Sequence, residues 1–232
     1  MKALKLSLLA ALGSLALAGA AQAQDAPEFK ASFNIGANTD YVFRGVSQTD
    51  EDPSIFGGVD LTIGSIGYAG VWASNVDFGN GTDAEVDVYA GVKPVVGPVT
   101  LDLGVIYYGY LDSPSGSSQA YWEGKAAASV AAGPTTLGAA IYYSPDFFGG
   151  TDDAVYVEAN AAIAVPDTKF TFSGALGHQQ VKGPFDYTTW NLGVGFAVTD
   201  HIGLDLRYFD TDEHGFGKIY GSRVVAGLKL TF

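Results

Sequence analysis

The sequence predicts an all-β fold: a transmembrane, up-and-down antiparallel β-barrel of about twelve strands that follows a cleaved signal peptide. Three observations carry this reading. Apolar and polar residues alternate with period two along most of the chain, which marks strands with two unlike faces. Short turns alternate with longer loops between these segments, as in up-and-down barrels. No apolar run after the leader approaches the ~18–20 residues of a spanning helix, so any membrane crossing is made by strands.

The N-terminus reads as an export signal. Lys2 and Lys5 form a positive n-region, 6–18 an apolar h-region, and Ala21-Gln22-Ala23 a small-x-small cleavage site. The reading predicts a signal peptide over 1–23 and a single outer-membrane barrel over 24–232, placed in the bacterial outer membrane. The chain contains no cysteine, which excludes a lipid-anchored cysteine and a disulfide framework. Its formal net charge of −13 becomes two units more negative once the leader's lysines are removed. So acidic a chain is a poor partner for nucleic acid.

The predicted strands are 31–44, 54–63, 66–77, 83–94, 98–110, 119–132, 135–144, 153–164, 168–178, 187–198, 201–210 and 219–232. In 83–94, Ala84, Val86, Val88, Ala90 and Val92 fall on one face, while Asp83, Glu85, Asp87, Tyr89, Gly91 and Lys93 fall on the other. The first segment sets Phe33, Ile35, Tyr41 and Phe43 opposite Ser32, Asn34, Asp40 and Arg44. Short turns fall at 64–65, 95–97, 133–134, 165–167 and 199–200. The longer loops are 45–53, 78–82, 111–118, 145–152, 179–186 and 211–218. Closing the sheet removes edges whose unpaired backbone groups are costly in lipid. Phe43, Tyr68, Trp72, Trp122, Tyr143, Trp190 and Tyr208 are assigned to the apolar face as interfacial girdles. The terminal VVAGLKLTF, ending in Phe232, reads as a sorting signal for the outer-membrane assembly machinery.

Nothing in the sequence marks an enzyme, and no catalytic residue or cofactor is expected. His178, His201 and His214 fall at different strand ends and loops, and no GxSxG motif is present. The acidic runs Asp50-Glu51-Asp52 and Asp210-Thr211-Asp212-Glu213 lack the spacing of an EF-hand loop, so no metal site is assigned. More informative are the charges that fall on the polar face. Asp40, Arg44, Asp60, Glu85, Asp87, Asp102, Glu123, Lys125, Glu158, Asp205, Arg207 and Arg223 form the predicted pore lining. Charges within a membrane span are expensive unless they line water or pair with one another. A barrel of about twelve strands has a narrow lumen, between the filled eight-stranded and the open sixteen-stranded kinds. The acidic excess then predicts cation preference. Parity sends Arg44 inward with Asp60 and Asp40 as its nearest partners, and 49–53 becomes the first surface loop.

The stretch NTDYVFRGVSQTDEDPSIFGGVDL, with its DYVFRGVSQ core, acidic-Pro turn and Gly57-Gly58 pair, resembles the first hairpin of the TorF family of porin-like proteins from proteobacteria. The resemblance implies an outer-membrane channel for passive diffusion of small hydrophilic solutes. Outer-membrane lipid and lipopolysaccharide are the expected surroundings. It transfers no catalytic or solute-binding residue. Two other readings stay open: a nonconducting structural or surface-binding barrel, and an outer-membrane enzyme such as a lipid deacylase or protease.

Overall fold

A computed structural model describes residues 28–232; the expected leader lies outside the described residues. Twelve long strands build the wall: β1 (Phe29–Asn38), β2 (Ser54–Ile63), β3 (Gly67–Asn75), β4 (Ala84–Val92), β5 (Val99–Leu111) and β6 (Tyr121–Ala132) form the first half. The second half is β7 (Thr135–Ser144), β8 (Ala154–Ala164), β9 (Phe170–Val181), β10 (Tyr187–Ala197), β11 (Ile202–Thr211) and β12 (Arg223–Thr231). Each strand pairs antiparallel with its sequence neighbours, and β1 also pairs with β12, placing Ile35 opposite Leu230. The seam is tied at its end by Phe33 N–H to Phe232 O at 3.0 Å and Phe232 N–H to Phe33 O at 2.8 Å. The sheet is therefore a closed barrel without free edges, as the alternation predicted.

Period-two alternation sorts the side chains as the physics of a pleated wall requires. Leu192 and Ile55 on the outer face are 69% and 67% exposed, and such side chains recur along the wall. A continuous apolar surface of this kind suits hydrocarbon rather than water. Trp122, Tyr143, Trp190 and Tyr208 share this outer face with their strands' other apolar residues.

Tyr68 and Trp72 do not belong to the girdle. Both faces of β3 (GYAGVWASN) are apolar or small, so composition does not reveal which one meets lipid. The structure turns both rings inward: the Tyr68 hydroxyl donates to Asp102 at 2.7 Å, and Trp72 stacks on Phe56 at 6.0 Å. Glycines opposite make room, since a Cβ on Gly91 or Gly104 would collide with the Tyr68 ring or hydroxyl.

The larger departure is at the start. The first strand was expected to run to 44, but β1 ends at Asn38 and the chain turns into the barrel. Tyr41 and Phe43 are interior residues, not lipid-facing ones. Thr49 is also buried, at 1% exposure, so only 50–53 of the expected surface loop reaches solvent.

Candidate functional site: a hairpin across the bore

Val42–Phe43 pairs with Val46–Ser47 to form a miniature hairpin whose two turn residues are Arg44 (φ 48°) and Gly45 (φ 83°). Positive φ at both central positions is the type I′ arrangement that matches strand twist in two-residue turns. Gly45 adopts it freely, and its lack of a side chain matters too: a Cβ there would collide with Thr189 of β10 and crowd Thr211 of β11. For Arg44 the left-handed backbone costs about 1–2 kcal/mol. Its side-chain contacts offset this.

The Arg44 guanidinium crosses the lumen and meets Glu123 of β6 in a fork. Nη1 donates to Oε1 at 2.8 Å and Nη2 to Oε2 at 2.7 Å, with the two side chains only 6% and 2% exposed. Nη1 also donates to Gln179 Oε1 of β9 at 2.9 Å. The rings of Tyr156, Phe43 and Tyr142 lie 4.3, 4.7 and 4.8 Å from the guanidinium carbon. A planar, delocalised cation suits both the carboxylate fork and the aromatic faces. The hairpin thus leaves the wall at β1 and is bolted to β6 and β9 on the other side of the bore.

Further tethers hold its stem. Asp40 accepts from Ser47 Oγ at 2.7 Å and Thr49 Oγ1 at 2.9 Å, and pairs with Arg223 of β12 at 3.1 Å. The Tyr41 hydroxyl donates to Glu85 of β4 at 2.6 Å, and its ring packs 5.2 Å from Trp72. In the surrounding loops Lys218 meets Asp50 at 2.9 Å. Among the described residues no cluster of three or more acids, histidines or cysteines is arranged to hold a metal ion.

Cavities flank the hairpin. Tyr41 and Val42 line one of about 250 Å³ against the wall, with Arg207 and Trp72 also lining it. Phe43 and Val46 to Gln48 floor a second cavity of about 320 Å³ toward the long-loop end. Beside the hairpin stand Glu85 and Asp87, 2% and 9% exposed, and no basic side chain lies within ion-pair distance of either among the described residues. Asp87 Oδ1 is buried without a hydrogen-bond partner.

The other expected lumen charges also point inward. Asp60 accepts from Tyr89 at 2.5 Å. Asp102 meets Lys125 at 2.7 Å and Lys93 at 3.9 Å. Glu158 accepts from Tyr156 and Asn160 at 2.9 Å each. Arg207 reaches Asp205 at 3.1 Å, Asn191 at 2.6 Å and Ser173 at 2.8 Å. The bonds of Asp60, of Asp102, and of Arg207 to Asn191 and Ser173 cross between strands, whereas those of Glu158 and the Arg207–Asp205 pair run along one strand; together they leave polar atoms along the bore.

The expected Arg44 partners, Asp60 and Asp40, are replaced by Glu123, and Asp40 goes to Arg223 instead. Sequence reasoning also missed Tyr41, Gln179, Tyr142 and Tyr156 as parts of the constriction. The Arg44-Gly45 pair between β-rich dipeptides was a local turn signal. Nothing local marks Glu123, 79 residues away. The histidines stay apart: His178 Nδ1 lies 3.2 Å from Thr188 Oγ1, His201 Nδ1 2.8 Å from Thr231 O, and His214 Nε2 2.7 Å from Asp210.

Comparison with solved structures places this fold among outer-membrane porin barrels. The KdgM porin superposes with a TM-score of 0.62 at 7% identity, over 87% of this chain and 99% of that one; it has also been solved in complex with disordered oligogalacturonate. The NanC porin gives 0.58 at 11% identity, over 86% of this chain and 98% of that one. An outer-membrane channel from Pseudomonas putida F1 gives 0.51 at 10% identity, over 91% and 98% of the two chains. No curated protein sequence matches. Residues 21–229 match the family described as "Bacterial protein of unknown function (Gcw_chp)". The chain belongs to the Gcw_chp family.

Proposed function

We propose that this chain is an outer-membrane channel for passive diffusion of small hydrophilic solutes, with a bore set by the in-folded hairpin and a preference for cations. The observation that carries the proposal is the Arg44 hairpin, bolted across a closed barrel by Glu123 and Gln179. A purely structural barrel needs no such internal strut, whereas a channel uses one to set the size and charge of its narrowest point. Glu85 and Asp87 beside it have no basic counter-ion among the described residues, which favours cations and disfavours anionic oligosaccharides of the kind seen with KdgM.

The TorF affiliation, the signal peptide, Phe232 as a sorting residue and lipopolysaccharide contact belong to the same proposal. No catalysis is part of it. The hairpin also supports a second reading, a nonconducting barrel that the strut keeps shut. Planar-bilayer recording of the folded chain separates the two. Unitary conductance steps are expected, with a reversal potential in a KCl gradient on the cation side. Absence of steps selects the shut barrel, and an anion-side reversal potential removes the charge preference.

A further inference from the structure

The chamber above the hairpin, toward the long-loop end, has a chemistry unlike the rest of the interior. Among the described residues no charged side chain lines it, although the lumen below is laced with ion pairs. Its lining is mostly aromatic and comes from the hairpin, four wall strands and four loops. Phe43 contributes from the floor, Tyr110 and Tyr121 from β5 and β6, and Phe78, Phe147 and Phe148 from the loops. These rings meet edge to face: Phe78 is 5.6 Å from Tyr110 and 5.3 Å from Phe148, and Phe147 is 4.8 Å from Tyr121. Phe78, Phe147 and Phe148 are nevertheless only half-buried, so their remaining faces look into space.

The polar lining groups are largely engaged already. Ser47 Oγ donates to Asp40 and accepts from the Glu51 amide. Gln48 Nε2 donates to the Val46 carbonyl and Thr151 Oγ1 to the Phe148 carbonyl. Gln179 accepts from Arg44 and donates to the carbonyls of Val155 and Gln180. That leaves the phenols of Tyr121, Tyr187 and Tyr220 as the polar edge. A sugar, with a hydroxyl on nearly every carbon, would lose more hydrogen bonds to water than this lining returns. A charged molecule would be desolvated without a counter-charge. An aromatic ring loses little and gains edge-to-face contacts. The size agrees: an apolar cavity of about 150 Å³ takes up benzene, and this one measures about 320 Å³.

We propose that the chamber is a binding site for a small, neutral, weakly polar aromatic molecule of one or two rings, with phenol and indole as the working probes. The site goes beyond the diffusion reading and does not depend on it, because binding is measurable whether or not the bore conducts.

The test is titration calorimetry on the full chain folded in detergent, with phenol, indole, benzoate and glucose as separate titrants. Phenol and indole are expected to bind saturably at one site, with benzoate much weaker and glucose giving no saturable heat. Phe148→Leu keeps apolar bulk but loses the ring, and should weaken indole binding about fivefold to tenfold. Phe78→Ala should weaken it similarly. Both positions lie in loops, so heat-dependent gel mobility should show an intact wall. No saturable heat with either aromatic probe on the wild-type chain overturns the proposal and leaves the rings as a loop core. Glucose binding as well as indole overturns the chemical class, and undiminished indole binding in both folded variants overturns the location.

Discussion

Replacing Arg44 with alanine should unseat the hairpin and widen the bore. The substitution removes the two bonds to Glu123, the bond to Gln179 and three ring contacts at once. Glu123, 2% exposed in the intact site, then keeps only the Tyr108 hydroxyl, at 3.1 Å, as a side-chain donor among the described residues. Breaking one side of a buried pair costs about 3–5 kcal/mol. The relief of left-handed strain at residue 44 returns little of this, since alanine is also disfavoured there. At about 1.4 kcal/mol per tenfold, the seated-to-unseated ratio should fall by two orders of magnitude or more. The wall hydrogen bonds are untouched, so heat-dependent gel mobility should still report a folded barrel. Single-channel recording should then show larger or flickering unitary steps, with stronger cation preference because one positive charge has left the bore. Arg44→Lys should lie between the two, since it keeps the charge and loses the fork. Adding Glu123→Gln to Arg44→Ala should recover part of the seating, because the stranded charge is gone. If folded Arg44→Ala has wild-type conductance, selectivity and gating, the hairpin is not held by this pair and the reasoning fails.

Gly45→Val should act in the same direction by a different route. It places a branched side chain where a Cβ already collides with Thr189, at a φ of 83°; an unchanged conductance would show that the tip is not wedged against β10. Gly97→Ala is its control, having positive φ but nothing within contact distance: the left-handed backbone alone should cost about 1–2 kcal/mol of stability, with conductance unchanged. Glu85→Gln with Asp87→Asn removes two buried lumen carboxylates beside the hairpin that have no ion-pair partner among the described residues. The potassium-to-chloride permeability ratio should fall severalfold, and a ratio that stays constant would move the selectivity filter elsewhere in the bore.

The wall was legible because alternation is local physics. In 83–94 each residue's face follows from its neighbours, and the inward Glu85 and Asp87 could be placed before any partner was known. The same parity put Asp102, Glu123, Glu158 and Arg207 on the interior face. It failed in β3, where both faces are apolar or small and the alternation carries no contrast. It failed more fully at 39–47, because parity holds only while the chain stays extended. The chain leaves the wall after Asn38, and the positive φ of Arg44 and Gly45 turns it back. The sequence by itself determined a closed barrel with an acidic interior, since those features need only periodicity and strand pairing between neighbours. Only the tertiary structure decided that Arg44 meets Glu123 rather than Asp60. That choice depends on the hairpin folding into the bore, which carries Arg44 from the end of β1 across to Glu123 on β6.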